Sequence, residues 1–223
     1  MNPLCDAISV EIEQNKRIAD WARKAHKRCV EFLDEMFAQD MGFRTDETID
    51  GIDIRKEGVK TFGGPIMSEL VDRFRAKLDN KLNSSQSQWI SRKKYYAYSA
   101  HDVSLSRLYA ALGLDYDRIG RPELADAFLI ELWMDKNDKN STVVKVIHLR
   151  KGKEPRDISK EVSGCKDTKE GCSFEEFAAR SVFAPSTGEF CDSSLPSQTK
   201  IHYKRQFYPD NGLVPRIFDT VYL

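Results

Sequence analysis

The stretch Tyr95-Tyr96-Ala97-Tyr98-Ser99-Ala100-His101-Asp102 constrains the fold more than any other part of the chain. Its aromatic start is short and bulky enough for a buried strand, while Leu105, Leu108, Ala111 and Leu112 just beyond it recur at helical spacing. Gly113 then makes a natural helix stop. A strand that yields directly to a helix places the polar residues of the junction at the carboxyl end of a sheet, where open α/β sheets bind ligands. The helix start adds backbone N–H groups and a partial positive charge, which favour a bound phosphate. Asp102 has a plainer reading as the N-cap of its helix, and the junction alone leaves both open.

Upstream the texture is helical. From Asp6 to about Phe37 the residues Ile18, Trp21, Ala25, Cys29, Phe32, Leu33 and Met36 recur at three- and four-residue spacing, which predicts one long amphipathic helix ending at Gly42. A polar stretch through Thr45-Asp46-Glu47 leads to Gly63-Gly64-Pro65, where proline suits the first turn of a second helix. Ile66, Met67, Leu70, Val71, Phe74 and Leu78 mark its buried face. The run Asn83 to Gln88 is a polar break. These signals divide the chain into a mostly helical lobe over 1–88, an α/β part over 89–191 and an unpatterned tail over 192–223.

Downstream, Phe128, Ile130 and Leu132 alternate, as do Val143, Lys145 and Ile147 with Leu149. Turn-forming residues Lys136 to Asn140 lie between them and predict a hairpin. Ser173 followed by Glu176 reads as a capping box that opens a short helix after Cys172. The tail carries Tyr203-Lys204-Arg205-Gln206-Phe207-Tyr208, which suits either a solvated face or an anionic partner.

Lysine plus arginine equals aspartate plus glutamate at 35 each, so no global basic footprint invites nucleic acid. No stretch approaches the ~18 apolar residues of a membrane span. Five cysteines are an odd count, and Cys165, Cys172 and Cys191 crowd among turn-forming residues, which suggests disulfides and an oxidising compartment. The first residues run into a charged segment without the apolar core of a secretory signal. A chain that lacks its true beginning would reconcile the two.

Four features in order resemble the histidine acid phosphatases, the prostatic and lysosomal type of the histidine phosphatase superfamily. They are Gly63-Gly64-Pro65-Ile66-Met67-Ser68-Glu69-Leu70, the segment Tyr98 to Asp102 with Leu112-Gly113-Leu114, the strand Phe128-Leu129-Ile130-Glu131-Leu132, and Gly171-Cys172-Ser173-Phe174-Glu175-Glu176-Phe177. The resemblance implies part of a phosphoglycerate-mutase-like α/β sheet domain with a mostly helical lobe. It implies hydrolysis of phosphate monoesters through a phosphohistidine intermediate, with no cofactor and no metal. His101 would hydrogen-bond the phosphoryl group and Asp102 would protonate the leaving oxygen. Cys165 and Cys172 would form the family's local disulfide. Cys191 matches a cysteine that bonds elsewhere, and Cys5 and Cys29 are left either free or differently paired. Secretion or a lysosomal address, and often dimerisation, go with the family, although no surface here commits to a dimer.

One element of the family is missing. Its nucleophile lies in an Arg-His-Gly-x-Arg-x-Pro motif, and this sequence contains no Arg-His pair. His26, His148 and His202 lie on a charged helix, in the hairpin and in the tail, so no motif promotes them. The expectation is a truncated phosphatase with little activity of its own, or a non-catalytic binding protein that kept the fold. A metal-dependent His-Asp phosphohydrolase built from His26, His101 and Asp102 is disfavoured, because those doublets sit in all-helical domains.

Overall fold

The computed structural model describes residues 3–44, 48–79, 85–134, 141–165, 171–180 and 221–222. The chain starts with α1 (Pro3–Glu13) and α2 (Asp20–Asp40), not with one continuous helix. Asn15 breaks the pattern by taking a left-handed φ of 52°, which asparagine tolerates better than most residues. The second helix folds back on the first, and a disulfide joins Cys5 to Cys29 with Cα atoms 4.9 Å apart. Cys5, Ile8, Ala22, Cys29 and Leu33 form their own small core. Trp21 and Phe32, assigned to the buried face by spacing, are 60% and 49% exposed, because the stripe that faces α1 runs through Ala22 instead.

The polar stretch that follows holds more structure than its composition suggests. Strands β1 (Thr48–Ile49) and β2 (Ile52–Asp53) form a hairpin across Asp50-Gly51, both with positive φ, the geometry that Asp-Gly serves best. Helix α3 (Ile54–Gly58) runs into a π-helical turn, Val59–Gly63, and then into α4 (Gly64–Leu78) with Pro65 in its first turn, as the sequence predicts. Helix α5 (Ser85–Ser91) precedes the strand β3 (Tyr96–Ala97). That strand is shorter than the aromatic run implied.

Beyond it come α6 (Asp102–Leu112), α7 (Tyr116–Ile119), β4 (Ala127–Met134), β5 (Thr142–Leu149), β6 (Arg156–Asp157), β7 (Cys172–Ser173), α8 (Phe174–Ala179) and β8 (Val221–Tyr222). The expected hairpin of β4 and β5 is antiparallel, with Ala127 opposite Leu149 and Met134 opposite Thr142. Its turn residues Lys136 to Asn140 lie outside the described residues. The inward face of β5 is the one carrying Thr142, Val144, Val146 and His148, so Val143 and Ile147 are only half-buried. On its far edge β5 pairs with β7 and β6. From the tail, β8 enters between β3 and β4, parallel to the first and antiparallel to the second. The strand leading to the His-Asp doublet therefore has a partner, which the tail's lack of pattern gave no reason to expect.

The fold is the mixed helix-and-sheet type that the resemblance implies. Met67, Leu70 and Phe74 of α4, Leu105, Leu108 and Leu112 of α6, Phe128 and Ile130 of β4, Val144 and Val146 of β5 and Phe177 of α8 share one core. Each fully buried leucine or methionine there contributes about 1.5–3 kcal/mol relative to exposure. Cys165 and Cys172 are bonded with Cα atoms 5.1 Å apart, as the family pattern implied. Ser173 caps α8 by accepting from the Glu176 N–H at 3.2 Å, and its hydroxyl donates to the Glu176 carboxylate at 3.0 Å, so the Ser-Glu pair read from the sequence does open the helix.

Candidate functional site

The doublet His101-Asp102 stands where β3 gives way to α6, and both sides of the junction are firmly held. On the strand side, Arg73 of α4 donates from Nε to the Tyr98 hydroxyl at 2.8 Å and from Nη2 to the Tyr96 hydroxyl at 3.0 Å. Its guanidinium lies 3.8 Å from the Tyr96 ring centroid and 5.5 Å from that of Trp89, and it is also paired with Glu69. Burial opposes the Arg73 charge, but the Glu69 hydrogen bond and the phenols outweigh it, so its pKa is raised. Burial, followed by the Glu69 charge, pushes the Tyr98 phenol well above its ordinary value.

On the helix side, Leu105, Leu108 and Leu112 anchor α6 in the core. Gly113 ends it with a φ of 64°, and a Cβ there would lie 2.5 Å from that of Ser163. Arg180 donates from Nε to the Ala111 carbonyl at 2.9 Å and satisfies the helix's last turn. Rigid ends on both sides fix the junction between them.

The N-cap of α6 is His101, not Asp102. His101 is extended at φ −101° and ψ 165°, and its carbonyl accepts from Ser104 N–H at 2.9 Å and Leu105 N–H at 3.1 Å. Its ring is exposed and makes no capping bond. Asp102 is the first helical residue, half-buried, with Oδ1 accepting from Val103 N–H at 2.7 Å. The reading of Asp102 as an N-cap is thereby corrected. What remains, among the described residues, is an unengaged imidazole beside a carboxyl at the positive end of an eleven-residue helix.

The other histidines are elsewhere. His26 is half-buried on α2, and His202 lies outside the described residues. His148 is 5% exposed, with Nε2 3.4 Å from Asp126 Oδ2 and 3.5 Å from the Tyr109 hydroxyl. Arg150 completes the cluster by donating from Nη2 and Nε to Asp126 Oδ2 at 2.9 and 3.1 Å. Burial works against ionisation of Asp126, yet hydrogen bonds from His148, Arg150 and the Glu123 N–H outweigh it and hold its carboxyl below the usual range. Sequence reading missed this network. Its signal is the hairpin register, which sets Phe128 opposite His148 and so brings Asp126 near Arg150.

Among the described residues, no three His, Cys, Asp or Glu side chains converge as metal ligands, and no helix is long and apolar enough to cross a membrane.

Residues 9–148, which include both members of the doublet, match the family model of the histidine phosphatase superfamily, branch 2. The chain belongs to this family. Over 105 residues it is 33% identical to "Putative acid phosphatase 5" of Caenorhabditis elegans, covering 47% of this chain and 22% of that protein. A second Caenorhabditis elegans protein, also named a "Putative acid phosphatase", is 26% identical over 168 residues, which is 71% of this chain and 38% of the relative. The protein named 2-phosphoxylose phosphatase 1 of Xenopus tropicalis is 37% identical over 70 residues, covering 31% of this chain and 13% of that one. The aligned stretches thus span well under half of these relatives' own lengths. No solved structure matches the chain at a significant level.

Proposed function

We propose that this chain carries the phosphate-holding histidine and the general acid of a histidine-type phosphomonoesterase. His101 donates a hydrogen bond to a non-bridging phosphoryl oxygen, and Asp102 gives a proton to the departing alkoxide. Charge builds on those oxygens during transfer, so a cationic or neutral N–H donor stabilises them, and an alcohol leaves far more easily than an alkoxide. The observation that carries the reading is the free His101 ring at the N-terminus of α6, directly beside the Asp102 carboxyl. The phosphatase names of the relatives support the substrate class, a phosphate monoester.

The sequence supplies no Arg-His pair to attack phosphorus. Removing the nucleophile of a serine hydrolase costs on the order of a million-fold in rate. The 223-residue polypeptide alone is therefore a phosphate binder with little or no turnover. The helical part over 1–88 shares one core with the sheet part over 89–191, to which β8 from the tail adds a strand, and together they form the scaffold of this half-site. The two disulfides favour an oxidising compartment.

The test pairs binding with catalysis. Inorganic phosphate should bind the purified chain and lose at least tenfold in affinity in His101→Ala, while p-nitrophenyl phosphate shows no release above background. Rapid release that depends on His101 would overturn the inactivity. Phosphate affinity indifferent to His101→Ala would overturn the site itself. The same missing Arg-His pair favours a second reading, a family member that binds without reacting. An in-frame Arg-His-Gly-x-Arg-x-Pro segment in the transcript upstream of Met1 would decide against it.

A further inference from the structure

A cavity of about 390 Å³ opens between the end of α2, the π-helical turn and α6, with Val103, the residue after Asp102, in its wall. Its walls are mostly apolar, from Met36 and Phe37 of α2, Met41 just after it, Phe62 of the turn and Val103 of α6. Two charged residues join them, Asp40 and Arg107. The volume falls in the range of small-molecule sites, and an engineered apolar cavity of ~150 Å³ already accepts benzene.

Arg107 is the feature that asks for a ligand. Its Nε is buried with no hydrogen-bond partner among the described residues, and its guanidinium lies 4.8 Å from the Phe62 ring centroid. A buried N–H donor without an acceptor calls for an explanation, and the arginine as a whole is only half-buried, so its charge stays within reach of a ligand. The contact that sets Phe62 there depends on Gly63, where a Cβ would lie 2.5 Å from the Arg107 carbonyl oxygen. Asp40 is exposed at the end of α2 and opposes an anion entering from that side.

Position links this cavity to the doublet. Val103 follows Asp102 directly, and Arg107 lies four residues further, about 6 Å along the helix. We propose that the cavity is the subsite for the organic group of the phosphomonoester, an aromatic or similarly flat apolar group that carries a second anion for Arg107. The proposal rests on the phosphate lying at His101 and Asp102. The apolar body packs on Phe62, Met36 and Val103, and the second anion accepts from the Arg107 guanidinium.

Three probes separate the parts: benzoate for the cavity, inorganic phosphate for the doublet, and 4-carboxyphenyl phosphate for both. Each is titrated into the intact chain and followed by NMR. Benzoate should bind saturably, weaken at least tenfold in Arg107→Gln and in Phe62→Ala, tighten in Asp40→Asn and stay unchanged in His101→Ala. The linked compound should bind at least tenfold tighter than benzoate and lose that gain in His101→Ala. Asp40→Asn alters only an exposed side chain, so it reports even if a core-facing variant unfolds; unchanged or weaker benzoate binding there overturns the proposal. Benzoate binding that is absent, or indifferent to Arg107→Gln, also overturns it. Benzoate failing while inorganic phosphate binds places the fault in the cavity. Phosphate failing while benzoate binds places it in the reading of the doublet, and the subsite assignment falls with it.

Discussion

Replacing His101 by serine should move stability and phosphate affinity in opposite directions. The residue occupies the N-cap of α6 in the extended conformation that a cap requires, yet its ring accepts no helix N–H. Serine in that geometry can accept from the third helical amide, Ser104 N–H, and a good cap of this kind is worth about 0.5–2 kcal/mol. Ser104 N–H already reaches the His101 carbonyl and Val103 N–H is taken by Asp102, so the lower half of that range applies, about 0.5–1 kcal/mol. For a chain of this length that raises the melting temperature by about 1–4 °C. The serine hydroxyl does not extend as far as imidazole, so a charged hydrogen bond to phosphate is lost, worth about 1.5–3 kcal/mol, or about ten- to a hundredfold in affinity. Differential scanning calorimetry and a phosphate titration on the same preparation read both. A drop of several degrees would show that the exposed ring has a structural duty. Unchanged phosphate affinity would remove it from the site.

Gly63→Ala should destabilise by about 1–3 kcal/mol in urea unfolding, because its Cβ would also lie 2.8 Å from that of Ala111, while Gly58→Ala, with open space around it, should cost nothing. Equal effects would refute the close packing of the turn on α6. Asp126→Asn leaves the half-buried Arg150 short of its main partner and should cost about 3 kcal/mol at pH 7, because the Asp126 side chain is itself fully buried. Because the folded pKa of Asp126 is depressed, its contribution is complete above the unfolded value of about 4 and is lost as pH falls through the folded value; the variant's acid-unfolding curve should be flatter below about pH 4. The loop closed by Cys5–Cys29 spans 24 residues and that of Cys165–Cys172 seven, so chain entropy makes removal of the first costlier by about 1 kcal/mol. Thiol labelling of the denatured, unreduced chain should find no more than one reactive cysteine. Deleting Val221 to Leu223 uncovers facing edges of β3 and β4 and should shift the protein to larger species than the intact chain forms in size-exclusion chromatography.

Local signals were legible where the backbone chemistry is local. Pro65 in the first turn of α4, Gly113 in the left-handed conformation and the Ser173–Glu176 box each satisfy a helix end within a few residues, so the sequence alone marks them. The Asp50-Gly51 turn carried a strong signal too, but no alternating apolar flanks drew attention to it. The break at Asn15 was hidden because apolar spacing from Ile18 onward fits a continuous helix just as well. Only the return contact through Cys5 and Cys29 distinguishes a hairpin. Val221–Tyr222 has two residues and no periodicity, and its place is set by partners more than a hundred positions away for β3 and about ninety for β4.

The two histidines best placed for chemistry show why residue type alone does not find a site. His148 has a carboxylate, a phenol and an arginine close by, the company that activated histidines keep. Yet it is buried on the inward face of β5, edge-on to Phe128 and Tyr109, and Asp126 spends its charge on Arg150. No substrate reaches its ring, so the network serves to neutralise charge inside the core. His101 has the opposite environment, exposed and without side-chain partners among the described residues, at a position where serine or aspartate would serve the helix better. A chain that leaves an N-cap unused beside a carboxyl, on a junction braced by Arg73 and Arg180, departs from its stability optimum at one point. Such departures concentrate where a ligand supplies the missing interaction. On that ground phosphate binding is better sought at His101 than at the more richly surrounded His148.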